Sequence, residues 1–80
     1  METVALVEFL VKAIVSKPDM VSVKSFEEEE KTIIEVMISN EDMGAVIGVN
    51  GKVADAIRTI VKSKAYANNE KKVNINFDTF

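Results

Sequence analysis

The stretch Gly48-Val49-Asn50-Gly51 separates two segments of helical periodicity, and it limits the possible folds more than any other feature of the chain. Apolar residues recur at helical spacing on both sides, with Met43, Val46 and Ile47 before it and Val53, Ile57 and Ile60 after it. Glycine tolerates positive φ and lacks a side chain, so two residues between two glycines can form a tight turn. The pattern predicts a short helix over residues 41–47, with Asn40 as its cap, and a longer helix that ends near Tyr66.

A third helix is predicted near the start of the chain, from Glu2 to Ser16, and it ends before Lys17-Pro18 because a residue preceding proline avoids helical geometry. Its expected core stripe consists of Leu6, Phe9, Leu10, Ala13 and Ile14. Other apolar residues lie outside that stripe: Val4, Val11 and Val15. Two interpretations remain open: the helix lies deep in the domain, or its second apolar edge contacts a partner.

Alternating patterns predict three strands. Met20 to Phe26 is expected to contain a bulge or an exposed end at Ser25-Phe26, Thr32 to Ser39 is the strongest strand, and Val73 to Phe77 is the last. The short acidic turn Glu27 to Glu30 favours an antiparallel hairpin, whereas the two helices between the second and third strands allow parallel pairing. We therefore predict one α+β domain over residues 1–80, in the order α-β-β-α-α-β, with a three-stranded mixed sheet covered on one face by three helices.

The composition argues against an enzyme or a metalloprotein. The chain has no cysteine and no histidine, which leaves carboxylates, lysine and tyrosine for any chemistry. Glu35, Asp42 and Asp55 are explained as strand surface, helix cap and helix surface, and none has an evident acid–base or metal partner. We predict no catalytic residue, no metal site and no cofactor. No signal peptide or membrane-spanning run is indicated, so a cytoplasmic protein without membrane insertion is expected.

Five interpretations of the glycine loop can be compared. A P-loop needs four residues between its glycines and Ser or Thr after the lysine, but Val53 follows Lys52. A dinucleotide fingerprint needs Gly-x-Gly after a strand, but this chain has no Gly-x-Gly and its loop follows a helix. A helix-turn-helix needs a second helix whose exposed face can read DNA, but Asp55 on that face would repel DNA. A plain interhelical turn is the simplest alternative. A KH domain uses Gly-x-x-Gly between two helices to clamp about four nucleotides of a single strand.

The surrounding pattern favours the KH interpretation. The segment EDMGAVIGVNGKVADAIRTIVKSKA, from Glu41 to Ala65, resembles the KhpA family of small bacterial RNA-binding proteins with a single KH domain. The similarity extends to the first helix, the SKPD break and the last strand. It implies a type II KH fold, a homodimer, pairing with a larger Jag-type KH protein, and links to cell elongation and division.

The resemblance also implies which residues bind RNA. The loop is Gly48, Val49, Asn50 and Gly51, the groove wall is Met43, Val46, Ile47, Val53 and Ile57, and the helix cations are Lys52, Arg58 and Lys62. Relatives usually carry a cation where this chain has Ala45 and Val49, and often at Asp55. Fewer phosphate contacts are therefore expected, with weaker RNA binding or greater reliance on a partner.

Two functions follow as hypotheses. The first is single-stranded RNA binding, as an RNA chaperone or post-transcriptional regulator, with the backbone over the loop and bases against Val46, Ile47 and Ile57. The alternative is a dimerisation module with weak RNA affinity. It is suggested by the net charge of −3 and the apolar first helix.

Overall fold

The predicted order of elements is confirmed by the structure, a computed structural model that describes residues 2–80. The helices are α1 (Thr3–Ile14), α2 (Met43–Ile47) and α3 (Lys52–Ala67), and the strands are β1 (Ser22–Glu27), β2 (Lys31–Ile38) and β3 (Lys72–Thr79). Single 3₁₀ turns cover Pro18–Met20 and Asn40–Asp42, and Val49–Gly51 is a tight turn with non-helical backbone at Asn50.

The three strands form one mixed sheet in the order β1-β2-β3. β1 and β2 are antiparallel, and β2 and β3 are parallel, because the two helices between them bring the chain back to the same end of the sheet. β3 pairs with β2 alone and is therefore an edge strand. Its free backbone groups lie along the side of the sheet next to α3.

The core lies between the sheet and the helices. Ile34, Val36 and Ile38 alternate along β2 and are fully buried, while Ile33, Glu35 and Met37 face the open side of the sheet. The rest of the buried cluster comes from α1 and the residue after it, from α2 and α3, and from β3: Val7, Val11, Val15, Val46, Ile57, Val61, Ala65, Val73 and Ile75. The predicted two-layer α+β arrangement, with the order expected for a type II KH fold, is confirmed.

The rotation of α1 differs from the prediction. Its core face is formed by Val7, Val11 and Val15, whereas Phe9 and Ile14 are 60% and 37% exposed. Leu6 and Leu10 are half-buried at the margin of the core, and Ala13 is exposed. Periodicity could not choose between two apolar stripes. Polar contacts at both ends of α1, described below, fix the stripe that faces the sheet.

α3 is also turned relative to the prediction. Ile60 is 47% exposed, whereas Ile57 is buried together with Ala54, Val61 and Ala65. The small alanine side chains allow the helix axis to approach the sheet closely, so the buried stripe passes through them.

One local alternative is confirmed, and one local prediction was wrong. At Ser25-Phe26 the strand has the exposed end rather than the bulge, since β1 pairs without interruption from Ser22 to Glu27 with residues 37 to 32 of β2. Because the outer half of this edge strand is exposed, polar and apolar residues there need not alternate. Asn40 is not the cap: the Ser39 hydroxyl accepts from the Glu41 N–H at 3.4 Å, and a 3₁₀ turn precedes α2.

Candidate nucleic-acid interface

The loop between α2 and α3 holds its backbone in left-handed geometry at three of its four residues. Gly48, Asn50 and Gly51 have φ of 76°, 57° and 74°. The turn begins where the Gly48 N–H donates to the Gly44 carbonyl at 2.9 Å, and it closes where the Gly51 N–H donates to the Gly48 carbonyl at 3.2 Å. Val49 at its tip is 79% exposed. The loop therefore presents its backbone, the apolar side chain of Val49 and the amide of Asn50 to solvent.

The two glycines are required for different reasons. At Gly48 an added Cβ would lie 2.8 Å from the Val53 Cβ and 2.9 Å from the Val53 backbone nitrogen, so no side chain fits. At Gly51 nothing lies within 4 Å of an added Cβ, and only the positive φ disfavours other residues. Asn50 occupies the left-handed region that asparagine tolerates better than most residues. The Cβ position of Gly48 is blocked by Val53, whereas that of Gly51 is open. The outer side of the loop is therefore accessible to a ligand.

α3 places an electropositive end behind the loop. This helix has 16 residues and begins at Lys52, directly after Gly51. Its N-terminal N–H groups and macrodipole favour anions, and Lys52 is exposed beside them. Asp55 in the first turn opposes this field, but it is paired with Arg58 at 3.3 Å. The arrangement can accept a phosphate between the loop backbone and Lys52.

Arg58 connects α3 to the edge strand. Its Nε donates to the Ile75 carbonyl of β3 at 3.3 Å, and its guanidinium lies 5.2 Å from the centre of the Phe77 ring. With the Asp55 contact, these interactions leave Arg58 as part of the wall rather than as a mobile phosphate ligand. Lys62, one turn further along α3, has an exposed side chain.

A cleft of about 280 Å³ lies where α3 passes the edge of β3, and it opens toward the face of the sheet that the helices do not cover. Its lining residues come from α3, β3 and β2: Arg58, Lys62, Asn74, Ile75, Asn76 and Ile33. Two asparagine amides and the edge of β3 supply hydrogen-bonding groups, while Arg58 and Lys62 supply positive charge. A single-stranded nucleic acid matches this combination, because its bases carry donors and acceptors and its backbone is anionic. Asn74 and Asn76 were not among the predicted site residues, although their alternation with Val73 and Ile75 had identified the strand.

The predicted site residues fall into three groups by burial. Exposed are Val49, Asn50, Lys52 and Lys62; half-buried are Met43, Ile47, Gly48, Gly51, Val53 and Arg58; buried are Val46 and Ile57. Val46 is 0% and Ile57 3% exposed, so neither can touch a base, and the predicted contacts of these two residues are corrected. Both belong to the core cluster and pack α2 and α3 against the sheet.

Asp42 has a role that the sequence did not indicate. Its carboxylate accepts from the Ser16 N–H at 2.9 Å, the Ser16 hydroxyl at 2.7 Å and the Lys17 N–H at 3.1 Å. These hydrogen bonds, the one from the Ser16 backbone first, lower the pKa of Asp42 from its ordinary value. At the opposite end of α1, the Thr3 hydroxyl donates to the Glu70 carboxylate at 3.0 Å. The first helix is thus fixed at one end to the start of the loop-bearing helix pair.

Within residues 2–80, no group of three or more acidic, histidine or cysteine side chains is placed to hold a metal ion. No helix in the same range combines the length and apolar character needed to cross a membrane.

Comparison with solved structures supports the fold. A crystal structure of Era in complex with MgGDPNP and nucleotides 1506–1542 of 16S ribosomal RNA matches 96% of this chain with a TM-score of 0.66 and 15% identity. A structure of Aquifex aeolicus Era bound to GDP and aluminium fluoride matches 98% with a TM-score of 0.69 and 13% identity. The chain corresponds to 29% and 30% of those two chains, so the likeness concerns one part of each.

Sequence comparison shows the family. RNA-binding protein KhpA of Clostridium perfringens is 48% identical over 85% of this chain and 91% of its own length. RNA-binding protein KhpA of Borreliella burgdorferi is 40% identical over 85% of this chain and 83% of its own. These names are those of binding proteins, and the prediction that the chain is not an enzyme agrees with them. The family described as KhpA/KhpB, KH domain, matches residues 4–77, and the chain belongs to it.

Proposed function

We propose that this protein binds single-stranded RNA along the loop and the cleft between α3 and β3. The observation that carries the proposal is the glycine loop at the N-terminus of α3. Its backbone is held open by positive φ at Gly48 and Gly51, and Lys52 stands beside it. Relatives covering most of the chain are named RNA-binding proteins, which makes RNA the first ligand to test.

In the proposed complex, the RNA backbone lies over the loop and the bases point toward the cleft. Phosphates meet the backbone of Val49 and Asn50 and the side chain of Lys52, while Lys62 holds a phosphate further along. The half-buried side chains Met43, Ile47 and Val53 form the apolar wall beside the loop, and the amides of Asn74 and Asn76 face the base edges. Arg58 acts from the wall, since its guanidinium is already held by Ile75 and Asp55.

The experiment that tests this proposal places negative charge at the loop tip. Val49→Asp combined with Asn50→Asp puts two carboxylates where phosphates are expected. Val49 is 79% exposed and Asn50 is exposed, so the fold should remain intact. Binding of a fluorescent single-stranded RNA, measured by anisotropy, should be lost through charge repulsion. A matched control, Glu29→Ala together with Glu30→Ala, alters the exposed acidic turn outside the cleft, and it should retain binding.

A folded double aspartate variant that binds RNA as tightly as the native protein would show that the loop is not the site. Circular dichroism and thermal melting establish that the variant is folded. The acidic-turn control removes negative charge rather than adding it, so loss of binding in that control would instead indicate damage to the fold.

An alternative function as a dimerisation module is favoured by the surface of α1. Phe9 is 60% exposed, and beside it lie Ala13 and the half-buried Leu6 and Leu10. We propose that this side of α1 contributes to a homodimer, or to a heterodimer with a Jag-type KH protein. Phe9→Lys should then shift the protein toward monomer in concentration-dependent sedimentation, whereas Lys24→Ala, at an exposed position on β1, should not. A native protein that is monomeric at high concentration would argue against self-association.

In the cell, we propose that residues 1–80 act as one cytoplasmic KH domain and serve as an RNA chaperone or post-transcriptional regulator linked to cell elongation and division. The family resemblance supports this role. Complementation of a deletion strain, with cell length measured by microscopy, tests it. The native gene should restore normal length, and the double aspartate variant should not.

A further inference from the structure

One exposed row of side chains on α3 extends beyond the loop. Arg58, Lys62 and Tyr66 are spaced by four residues, so they lie on the same face of the helix. Tyr66 is 86% exposed, more than any other large apolar side chain in residues 2–80. An aromatic ring held on a helix at the margin of a charged cleft provides a flat surface on which a base can stack.

A second cavity continues the cleft at this end. It measures about 280 Å³ and lies between the end of α3 and the start of β3. Its lining residues are Lys62, Ala65, Tyr66, Glu70, Lys71, Lys72 and Val73. Lys62 also lines the first cleft, so the two cavities adjoin along one side of the molecule. Three lysines against one glutamate give this end a local charge of +2 (3 − 1).

The only acidic residue of this cavity is already engaged. The Glu70 carboxylate accepts from the Thr3 hydroxyl at 3.0 Å and from the Asn68 amide at 3.3 Å. These neutral donors fix the carboxylate in place without cancelling its charge, and the three lysines outweigh it. An apolar floor, an exposed aromatic ring and surrounding ammonium groups together match a nucleotide, whose base is flat and whose phosphate is anionic.

We infer that Tyr66 is a stacking platform for a base of single-stranded RNA, with Lys62 and Lys72 contacting the flanking phosphates. This inference rests on the proposed function, because the strand must first be held at the loop. From Lys52 to Tyr66 the helix advances 14 residues (66 − 52), or about 21 Å at about 1.5 Å per residue. That length corresponds to about six nucleotides at the roughly 3.4 Å spacing of a stacked strand. The loop clamps about four, so a four-nucleotide RNA held there ends short of Tyr66.

The far end of the path is limited by the acidic turn Glu27 to Glu30. The Lys71 Nζ donates to the Glu28 carbonyl at 3.0 Å, and this contact places the turn beside the second cavity. Lys31 lies 3.9 Å from the Glu28 carboxylate, and it offsets part of the negative charge. The remaining carboxylates repel a backbone that continues past Tyr66. Affinity should therefore rise with RNA length up to Tyr66 and then level off.

The chain contains one tyrosine and no tryptophan, so intrinsic fluorescence reports on Tyr66 alone. The test compares oligouridylates of 4, 10 and 20 nucleotides, corrected for absorption with free tyrosine amide. The decamer should quench Tyr66 and bind more tightly than the tetramer, while the 20-mer should gain little more. Tyr66→Ala should weaken decamer binding by about 5- to 140-fold, which is about 1–3 kcal/mol for one stacked base at about 1.4 kcal/mol per tenfold.

Two further variants make the result specific. Tyr66→Phe keeps the ring and should bind the decamer within about threefold of the native protein. Phe26→Ala removes an exposed ring on β1, at the opposite edge of the sheet from β3, and should change nothing. If Tyr66→Ala binds the decamer as the native protein does, or if Tyr66→Phe loses as much as Tyr66→Ala, the stacking inference is wrong. If the native protein binds the tetramer and the double aspartate loop variant does not, the proposed function stands whatever the Tyr66 variants show. If the native protein binds none of the three RNAs, both proposals fail.

Discussion

The three glycines of the chain should respond to alanine substitution in a fixed order, because the structure gives each a different environment. Gly48 combines φ of 76° with ψ of 176°, a region that is almost restricted to glycine, and an added Cβ would overlap Val53. Backbone strain there costs about 1–3 kcal/mol, and overpacking adds about 1–3 kcal/mol. Gly48→Ala should therefore lower the free energy of unfolding by about 2–6 kcal/mol.

The other two glycines provide matched controls. Gly51 has φ of 74° and open space around a Cβ, so Gly51→Ala should lose only the left-handed penalty, about 1–2 kcal/mol. Gly44 lies exposed in α2 with nothing within 4 Å of an added Cβ, and alanine should stabilise the helix there by about 0.5–1 kcal/mol. From most to least stable, the expected order is Gly44→Ala, the native protein, Gly51→Ala and Gly48→Ala.

Thermal and urea denaturation followed by circular dichroism measure this order. For a domain of this size about 1 kcal/mol shifts the midpoint by about 4–8 °C, so Gly48→Ala should melt at least about 8 °C below the native protein or fail to fold. The folded Gly51→Ala variant keeps the series informative in that case. A Gly48→Ala protein as stable as Gly51→Ala would refute the close packing between the loop and Val53.

Three further predictions concern charge and packing. Because the pKa of Asp42 is lowered in the folded protein, its carboxylate stabilises the fold fully above the ordinary pKa of 3.8 and progressively less as the pH falls below that value. Asp42→Asn should therefore flatten the acid side of the plot of unfolding free energy against pH, measured by urea titrations between pH 2 and 6. With about three phosphate contacts, RNA affinity should fall by about 20-fold between about 50 and 200 mM salt. Val49→Lys should raise the affinity and steepen the slope of log affinity against log salt concentration by about 0.7. An unchanged slope would place Val49 away from phosphate. Val7→Ala should destabilise the fold by about 1–3 kcal/mol, and Phe9→Ala by less than about 0.5 kcal/mol in the monomer, which checks the observed rotation of α1 by chemical denaturation.

Much of the fold could be predicted because its signals are local. Alternation separated the two faces of β2 and of β3. Ile34, Val36 and Ile38 share one face of β2 and are buried, while Val73 and Ile75 share one face of β3 and are buried, with Phe77 half-buried beside them. The glycine loop and its flanking helices were placed from spacing and turn chemistry alone. A residue's position along an alternating strand determines the face it occupies, whatever lies elsewhere in the chain.

The candidate site was only partly predictable. Spacing located the loop and Lys52, but it could not show that Val46 and Ile57 point inward or that Arg58 is held by Ile75. A helical residue on the edge of an apolar stripe is buried or exposed according to how its helix is rotated, and that rotation depends on the neighbouring elements. Tyr66 was interpreted as packing near a helix end, yet its ring lies in solvent beside a charged cavity.

By itself the sequence determined the order of elements, the parallel pairing of β2 and β3 and the tight turn at Gly48 to Gly51. The order of elements and the turn depend on residues close together in the chain, and the parallel pairing follows from the length of the connection between β2 and β3. The tertiary structure alone decided the rotation of α1 and α3, the link from Asp42 to Ser16 across 26 positions, and the cleft that joins α3 to the edge of β3. These features need groups that are distant in sequence to meet with defined orientation, and only packing of the helices against the sheet sets that orientation.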